Sequence, residues 1–198
     1  AEGNFPCRYG LAIGTLVAGV AAEMLDEWLD PDGITRRLTA PSAADPEFRS
    51  SREVVEKLVG LLAHGLEAIR DQRLLPFVGR DGAAPKPKSA LFWRSMQTVP
   101  SIAANFAGLR ALFDDSGLPA ATAEDGGWIG NSADFEFANV ERAVAVVDTP
   151  VESAVEDPAQ KRALDYLVIL TGSLQTLLGD NLSAALGLSV GFSSLDGD

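Results

Sequence analysis

The chain is poor in the residues that make metal and covalent chemistry. Among 198 residues it has one cysteine, Cys7, and one histidine, His64. A lone cysteine excludes an internal disulfide, and one of each excludes a Cys/His zinc site built by this chain alone. Any metal would need mostly carboxylate ligands or help from another chain. Basic residues are also scarce, 16 Lys and Arg against 28 Asp and Glu, for a formal net charge of −12. That balance excludes a nucleic-acid partner, because phosphate binding needs a basic face. Glycine-rich phosphate loops are absent, no serine sits in a Gly-x-Ser-x-Gly context, and the sole histidine lies mid-helix, so phosphate-cradle and serine-hydrolase chemistry are excluded too. No strand-like alternation of any length occurs.

What is present is helical periodicity. Hydrophobic residues make up 46% and charged residues 22%, ordinary globular usage, and the length suits one domain over residues 1–198. The first helix is expected from Phe5 to Leu29, with Tyr9, Ile13, Leu16, Val20 and Met24 at spacings of three and four, stopped by Asp30-Pro31-Asp32-Gly33. Its uncharged run, Tyr9 to Ala22, is shorter than the ~18–20 residues that span a bilayer, so no transmembrane helix is expected. A signal-peptide reading, with Arg8 in front and Val20-Ala21-Ala22 as a cleavage-like end, competes with a core helix. The unbroken continuation into Glu23-Met24-Leu25-Asp26 favours the core helix. The absent initiating Met suggests a mature or truncated product.

A second helix is expected over Ser50–Phe77, with Ser50 and Glu53 as a capping box. A third runs from Phe92, or from Pro100, to Phe113 on the stripe Ile102, Phe106, Leu109 and Phe113. A fourth covers Ser132–Val147. The last spans Pro158–Leu186, with Leu164, Leu167, Thr171, Leu174 and Leu178 inward, apolar on more than one face and so expected near the centre. Together these predict an all-α fold, an up-and-down bundle of four to five long helices. The closing segment, with Leu188, Val190, Phe192 and Leu195, is too apolar for a loose tail and is expected to pack back.

The densest chemistry lies in His64–Arg73. At helical spacing His64 and Glu67 could form half of a metal site or an acid/base pair. On a helical wheel Leu58, Leu62, Leu66 and Ile69 define the buried side, while Glu53, Lys57, Glu67 and Asp71 fall within about 60° of His64 on the other. His64, Glu67 and Asp71 are therefore expected on the solvated face, leaving His64 and Glu67 as weak metal candidates. Arg73 instead follows Leu62, Leu66 and Ile69 on the apolar stripe, where it must snorkel or pair with a buried carboxylate or carbonyls. Asp114-Asp115, Asp125 and Asp196-Gly197-Asp198 match no calcium-loop spacing.

With Ile69-Arg70-Asp71-Gln72-Arg73-Leu74, Phe92-Trp93-Arg94-Ser95, Cys7-Arg8-Tyr9 and the terminal Gly191-Phe192-Ser193-Ser194-Leu195-Asp196-Gly197-Asp198 in view, the chain resembles the C-terminal half of the imelysin family, whose members are helical cell-envelope proteins tied to iron uptake and filed among metallopeptidases. The resemblance implies a periplasmic or outer-membrane-associated location in a Gram-negative bacterium. It also implies a partner N-terminal bundle carrying a Gly-x-His-x-x-Glu signature, and iron or an iron-linked ligand in the cleft between the halves. An iron or zinc ion would be held mainly by the N-terminal half. His64 and Glu67 mimic the end of that signature, but position 62 is Leu, so the signature is not carried over. The residues expected to line the cleft are Arg70, Asp71, Arg73, Trp93, Arg94 and Ser95, and the chain alone is expected to be inactive.

Overall fold

The computed structural model describes residues 5–80, 82–122 and 127–188. The expected packing of the closing segment, and Asp125, Asp196 and Asp198, lie outside them. The described residues are helical throughout, without a strand. The chain divides into two compact units, Ala1–Val55 and Glu56–Asp198.

The first unit begins with α1, Phe5–Leu29, which ends where Asp30 Oδ1 accepts from Asp32 N and the Asp30 carbonyl accepts from Gly33 N. The core-helix expectation fails for α1. None of its residues is buried, and Leu11, Leu16 and Phe5 are each more than two-thirds exposed. Counted as a whole helix rather than by its uncharged run, α1 is also long and apolar enough to cross a membrane, by length and composition alone. A short α2, Ile34–Thr39, follows. The loop after it is pinned by Arg37, whose guanidinium grips both Asp45 carboxylate oxygens at 2.7 and 3.0 Å and lies 5.1 Å from the Phe48 ring centre. That bond, with the backbone N–H groups of Phe48 and Glu47, holds the Asp45 carboxyl well below the usual carboxylate range. Ser50 Oγ accepts from Glu53 N at 3.3 Å, half of the predicted capping box, and the Glu53 carboxylate reaches one residue further back to Arg49 N.

The second unit contains the continuation of α3, Ser51–Ala68, a wide segment Ile69–Leu74 and a closing turn α4, Leu75–Val78. Then come α5 (Thr98–Asp115), the turn α6 (Leu118–Ala121), α7 (Gly127–Val146), the turn α8 (Val151–Ala154), α9 (Pro158–Gln175), a second wide segment Thr176–Asn181, and α10 (Leu182–Ala185). Four rods form a closed ring, each antiparallel to its neighbours. Gly65 of α3 meets Leu109 of α5, while Arg73 meets Ser101 nearer the start of α5. Arg110 of α5 reaches Glu141 of α7, Glu136 of α7 accepts from Ser173 of α9, and Arg70 reaches Gln175 while Ala63 lies against Gly179. This is the predicted up-and-down bundle.

The α9 stripe Leu164, Leu167, Thr171, Leu174 and Leu178 is buried throughout. Thr171 is tolerated there because its hydroxyl donates to the Leu167 carbonyl. The helix starts at Asp157, whose Oδ1 accepts from Ala159 N and Gln160 N, both at 2.9 Å. It does not occupy the centre of the bundle, because Tyr166 and Ile169 face outward. At Gly65 the two helices come close, and a Cβ there would lie 2.6 Å from a Leu109 methyl, so that side chain would have to turn aside.

Leu174→Ala should lower unfolding stability in urea by about 2–5 kcal/mol, whereas Ile169→Ala should stay within about 0.5 kcal/mol. Because the folded-state pKa of Asp45 is lowered, its contribution is complete above about pH 4 and declines as acid protonates it. The protection of the Glu47 and Phe48 amides, their exchange corrected for its intrinsic pH dependence, should therefore fall as the pH drops below about 4, a dependence that Asp45→Asn removes.

Candidate functional site

The apolar pattern on α3 determines where its charged residues can go. Continued as a regular helix, the stripe Leu62, Leu66, Ile69 reaches Arg73 next and drives a guanidinium into the core. The chain instead opens into a π-helical segment over Ile69–Leu74, which accommodates one extra residue. The stripe resumes five positions after Ile69 at the fully buried Leu74 and continues through Phe77 and Val78. Arg73 is thereby turned onto a half-buried flank. Its Nη1 donates to Ser101 Oγ at 3.4 Å and its guanidinium lies 5.9 Å from the Phe92 ring centre. Of the expected alternatives, snorkelling or pairing with a buried carboxylate or carbonyls, the carboxylate is not the one found. Among the described residues Arg73 makes no ion pair, and an aromatic face takes that place.

Arg70 and Asp71 sit inside the wide turn. Arg70 donates from Nε and Nη2 to the Asp71 carboxylate at 3.2 and 3.0 Å, and from Nη1 to Gln175 Oε1 at 2.7 Å. Gln175 is the last residue of α9 before the second wide segment, so this bond ties the first π-helical segment to the end of α9. Asp71 also accepts from Arg80 at 3.0 Å. Its hydrogen bonds raise the Arg70 pKa against the opposing effect of burial, with Glu67 adding to the field. Asp71, Arg80 and Lys86 form the polar part of an open cavity of about 280 Å³ lined also by Leu75, Pro76 and Gly79. Gly79 makes the bend at φ 95°, where a Cβ would lie 2.5 Å from the Ala83 carbonyl oxygen.

Trp93, Arg94 and Ser95 form one helical turn held between two left-handed residues, Phe92 at φ 65° and Met96 at φ 57°. Bulky residues rarely adopt that conformation, and such strain persists only where the surroundings impose it. Here the Phe92 carbonyl accepts from Ser95 N, Ser95 Oγ and Gln97 N, while Thr98 Oγ1 donates to the Leu91 carbonyl at 2.7 Å. Arg94 lies 4.4 Å and Lys88 5.8 Å from the Trp93 ring centre. The predicted residues thus form two groups, Arg70 with Asp71 and Trp93 with Arg94, and Arg73 leads from the wide turn to the strained one through Phe92. Ser95 is occupied in holding its own turn.

Of the weak metal candidates, His64 is exposed as expected, but Glu67 is only 7% exposed. The helical wheel placed Glu67 on the solvated face. Ala63 and Arg70, its neighbours on that flank, lie against Gly179 and Gln175, and the α9 rod shields Glu67 with them. Among the described residues no group of three or more His, Cys, Asp or Glu is placed to hold a metal ion. The donor set therefore does not fit an iron or zinc centre built by the described residues. Sequence reasoning missed Gln175, Arg80, Lys88 and Ser101. The wide turn had a visible signal, the five-residue step from Ile69 to Leu74 with Arg73 out of pattern. Gln175, 105 positions from Arg70, had none.

The imelysin family model matches residues 1–178, the greater part of the chain. The chain belongs to the imelysin family. Comparison with curated proteins and with solved structures found no match. Within this imelysin chain, position 62 is a fully buried leucine, which shows in packing terms why a glycine-led signature does not fall there.

Deleting Gln72, an exposed residue of the wide turn, closes the step from Ile69 to Leu74 to the four residues of an α turn. That deletion should leave the bundle folded, with a stability loss of at most about 2 kcal/mol in urea. Deleting the equally exposed His64 from regular helix should cost clearly more, because it rotates Leu66 and Ile69 off their stripe even when the wide turn closes to restore the register from Leu74 on.

Proposed function

We propose that this chain is a ligand-binding wall of an imelysin-type cell-envelope protein, corresponding to its C-terminal half and serving the capture or transfer of iron or an iron-linked ligand. The observation that carries the reading is the Arg70–Asp71 pair, fixed by Gln175 and Arg80 inside a π-helical turn beside a cavity. Wide turns of this kind occur often at functional sites, because they free a helix's side chains from the α register. Asp71 and Gln175 occupy the Arg70 guanidinium, so its part in the wall is to hold the Asp71 carboxylate on the cavity lining. The wholly exposed apolar α1 supports a missing covering surface, which the N-terminal helical half would supply. Family membership supports the periplasmic or outer-membrane placement.

In this reading any metal is held mainly by the other half, and this chain positions the ligand through Arg70, Asp71 and Arg73, with Trp93 and Arg94 alongside. The test is iron binding by the full-length protein. Arg70→Ala and Asp71→Asn should each weaken it about tenfold or more, as loss of a supporting residue does at other metal sites, with an unchanged melting temperature. Iron binding indifferent to both substitutions would remove the reading. Peptide hydrolysis by the full-length protein, abolished by a chelator and restored by metal, would move the function to a metallopeptidase whose metal motif lies in the other half. The present chain alone should hydrolyse no peptide in either case.

A further inference from the structure

The charge distribution of this acidic protein has one inversion. Residues 70–94 hold six of its 16 basic residues and only two of its 28 acidic ones, Asp71 and Asp81. Asp71 is taken by Arg70 and Arg80. Arg73, Lys88 and Arg94 are left with aromatic faces instead of carboxylates, and among the described residues none of the three makes an ion pair. Elsewhere in the chain Arg36, Arg37, Arg49, Arg110 and Lys161 each find a carboxylate, so a shortage of acids does not explain it.

Two of the three cations are drawn to one indole. The Arg94 guanidinium carbon and Lys88 Nζ lie 4.4 and 5.8 Å from the Trp93 ring centre. Like charges so placed repel, and ring faces offset that only in part. The backbone that carries Trp93 and Arg94 is held by two left-handed residues, by the Phe92 carbonyl's three donors and by the buried Thr98. A fixed backbone with unpaired cations resting on aromatic faces lowers the cost of binding a negative ligand, since part of the ordering is already in place.

We propose that the Phe92–Met96 turn is a binding site for a small, multiply charged oxyanion, a polycarboxylate or phosphate-bearing molecule, gripped by Arg73, Lys88 and Arg94. Guanidinium forks suit such groups because they donate two parallel hydrogen bonds. The Phe92 and Trp93 rings hold the cations in place and offer an apolar side to the ligand. The proposal rests on the ligand-wall reading only in placing this turn on a binding face.

Isothermal titration of the chain with citrate and, separately, with inorganic phosphate at low ionic strength tests it. Saturable one-site binding of at least one anion is expected, weakened by added salt. Arg94→Ala and Arg73→Ala should each weaken it about tenfold, and Arg36→Ala, at a paired arginine on α2, should not. Arg94 is exposed, so its variant should melt as the parent does even if the Arg73 variant does not. Absence of saturable binding for both anions, or affinity unchanged by Arg94→Ala, overturns the proposal. A full-length protein that binds iron beside a chain that binds neither anion overturns this inference alone. Anion binding through Arg94 in a protein that binds no iron upholds it alone.

Discussion

The organisation of the second unit depends on one constraint of solvation, that an unpaired guanidinium is too costly to bury on the apolar stripe of α3. Leu62, Leu66 and Ile69 commit one face of the helix to the core, and Leu74, Phe77 and Val78 must reach the same core. With five residues from Ile69 to Leu74, a regular helix would bury Arg73 and expose Leu74. The π-helical turn absorbs the extra residue. Charge is thus displaced to the flanks, and both groups of candidate site residues follow from that displacement.

The displaced charges are then sorted by what each flank meets. Towards α9, Arg70 finds Gln175 at the start of the second wide segment, and Asp71 bridges Arg70 to Arg80. Towards α5, Arg73 finds a serine hydroxyl and the ring of Phe92. One flank is a satisfied polar network and the other a set of cations on aromatic faces. Satisfied networks rigidify and orient, whereas unpaired cations leave binding capacity in hand. The chain provides both within one end of the bundle, and the strained turn keeps the second from relaxing.

Family membership adds context without supplying the chemistry. The residues that suggest a metal, His64 and Glu67, diverge once packed, one exposed and the other shielded beside α9. The arginines and aromatics are the side chains that the fold brings into ordered contact. α1 is uncharged from Tyr9 to Ala22 and has no buried residue.

The long helices and their order could be read from spacing alone, as could the inward residues of α9, Leu164 through Leu178, and the Ser50 cap, because periodicity and capping are local properties of the chain; the same spacing on α1 marked residues that are not buried. Sequence also marked Arg73 as out of pattern. It could not say whether the helix would yield or the arginine would be buried with a partner, since that depends on the packing energy of Leu74 and Phe77 against distant helices. Nor could it place Glu67 under α9, bring Gln175 to Arg70, or show that Lys88 and Arg94 share one indole. Those are contacts between residues far apart in the chain or across irregular loops, where no period constrains the backbone, and only the closed ring of rods decides them.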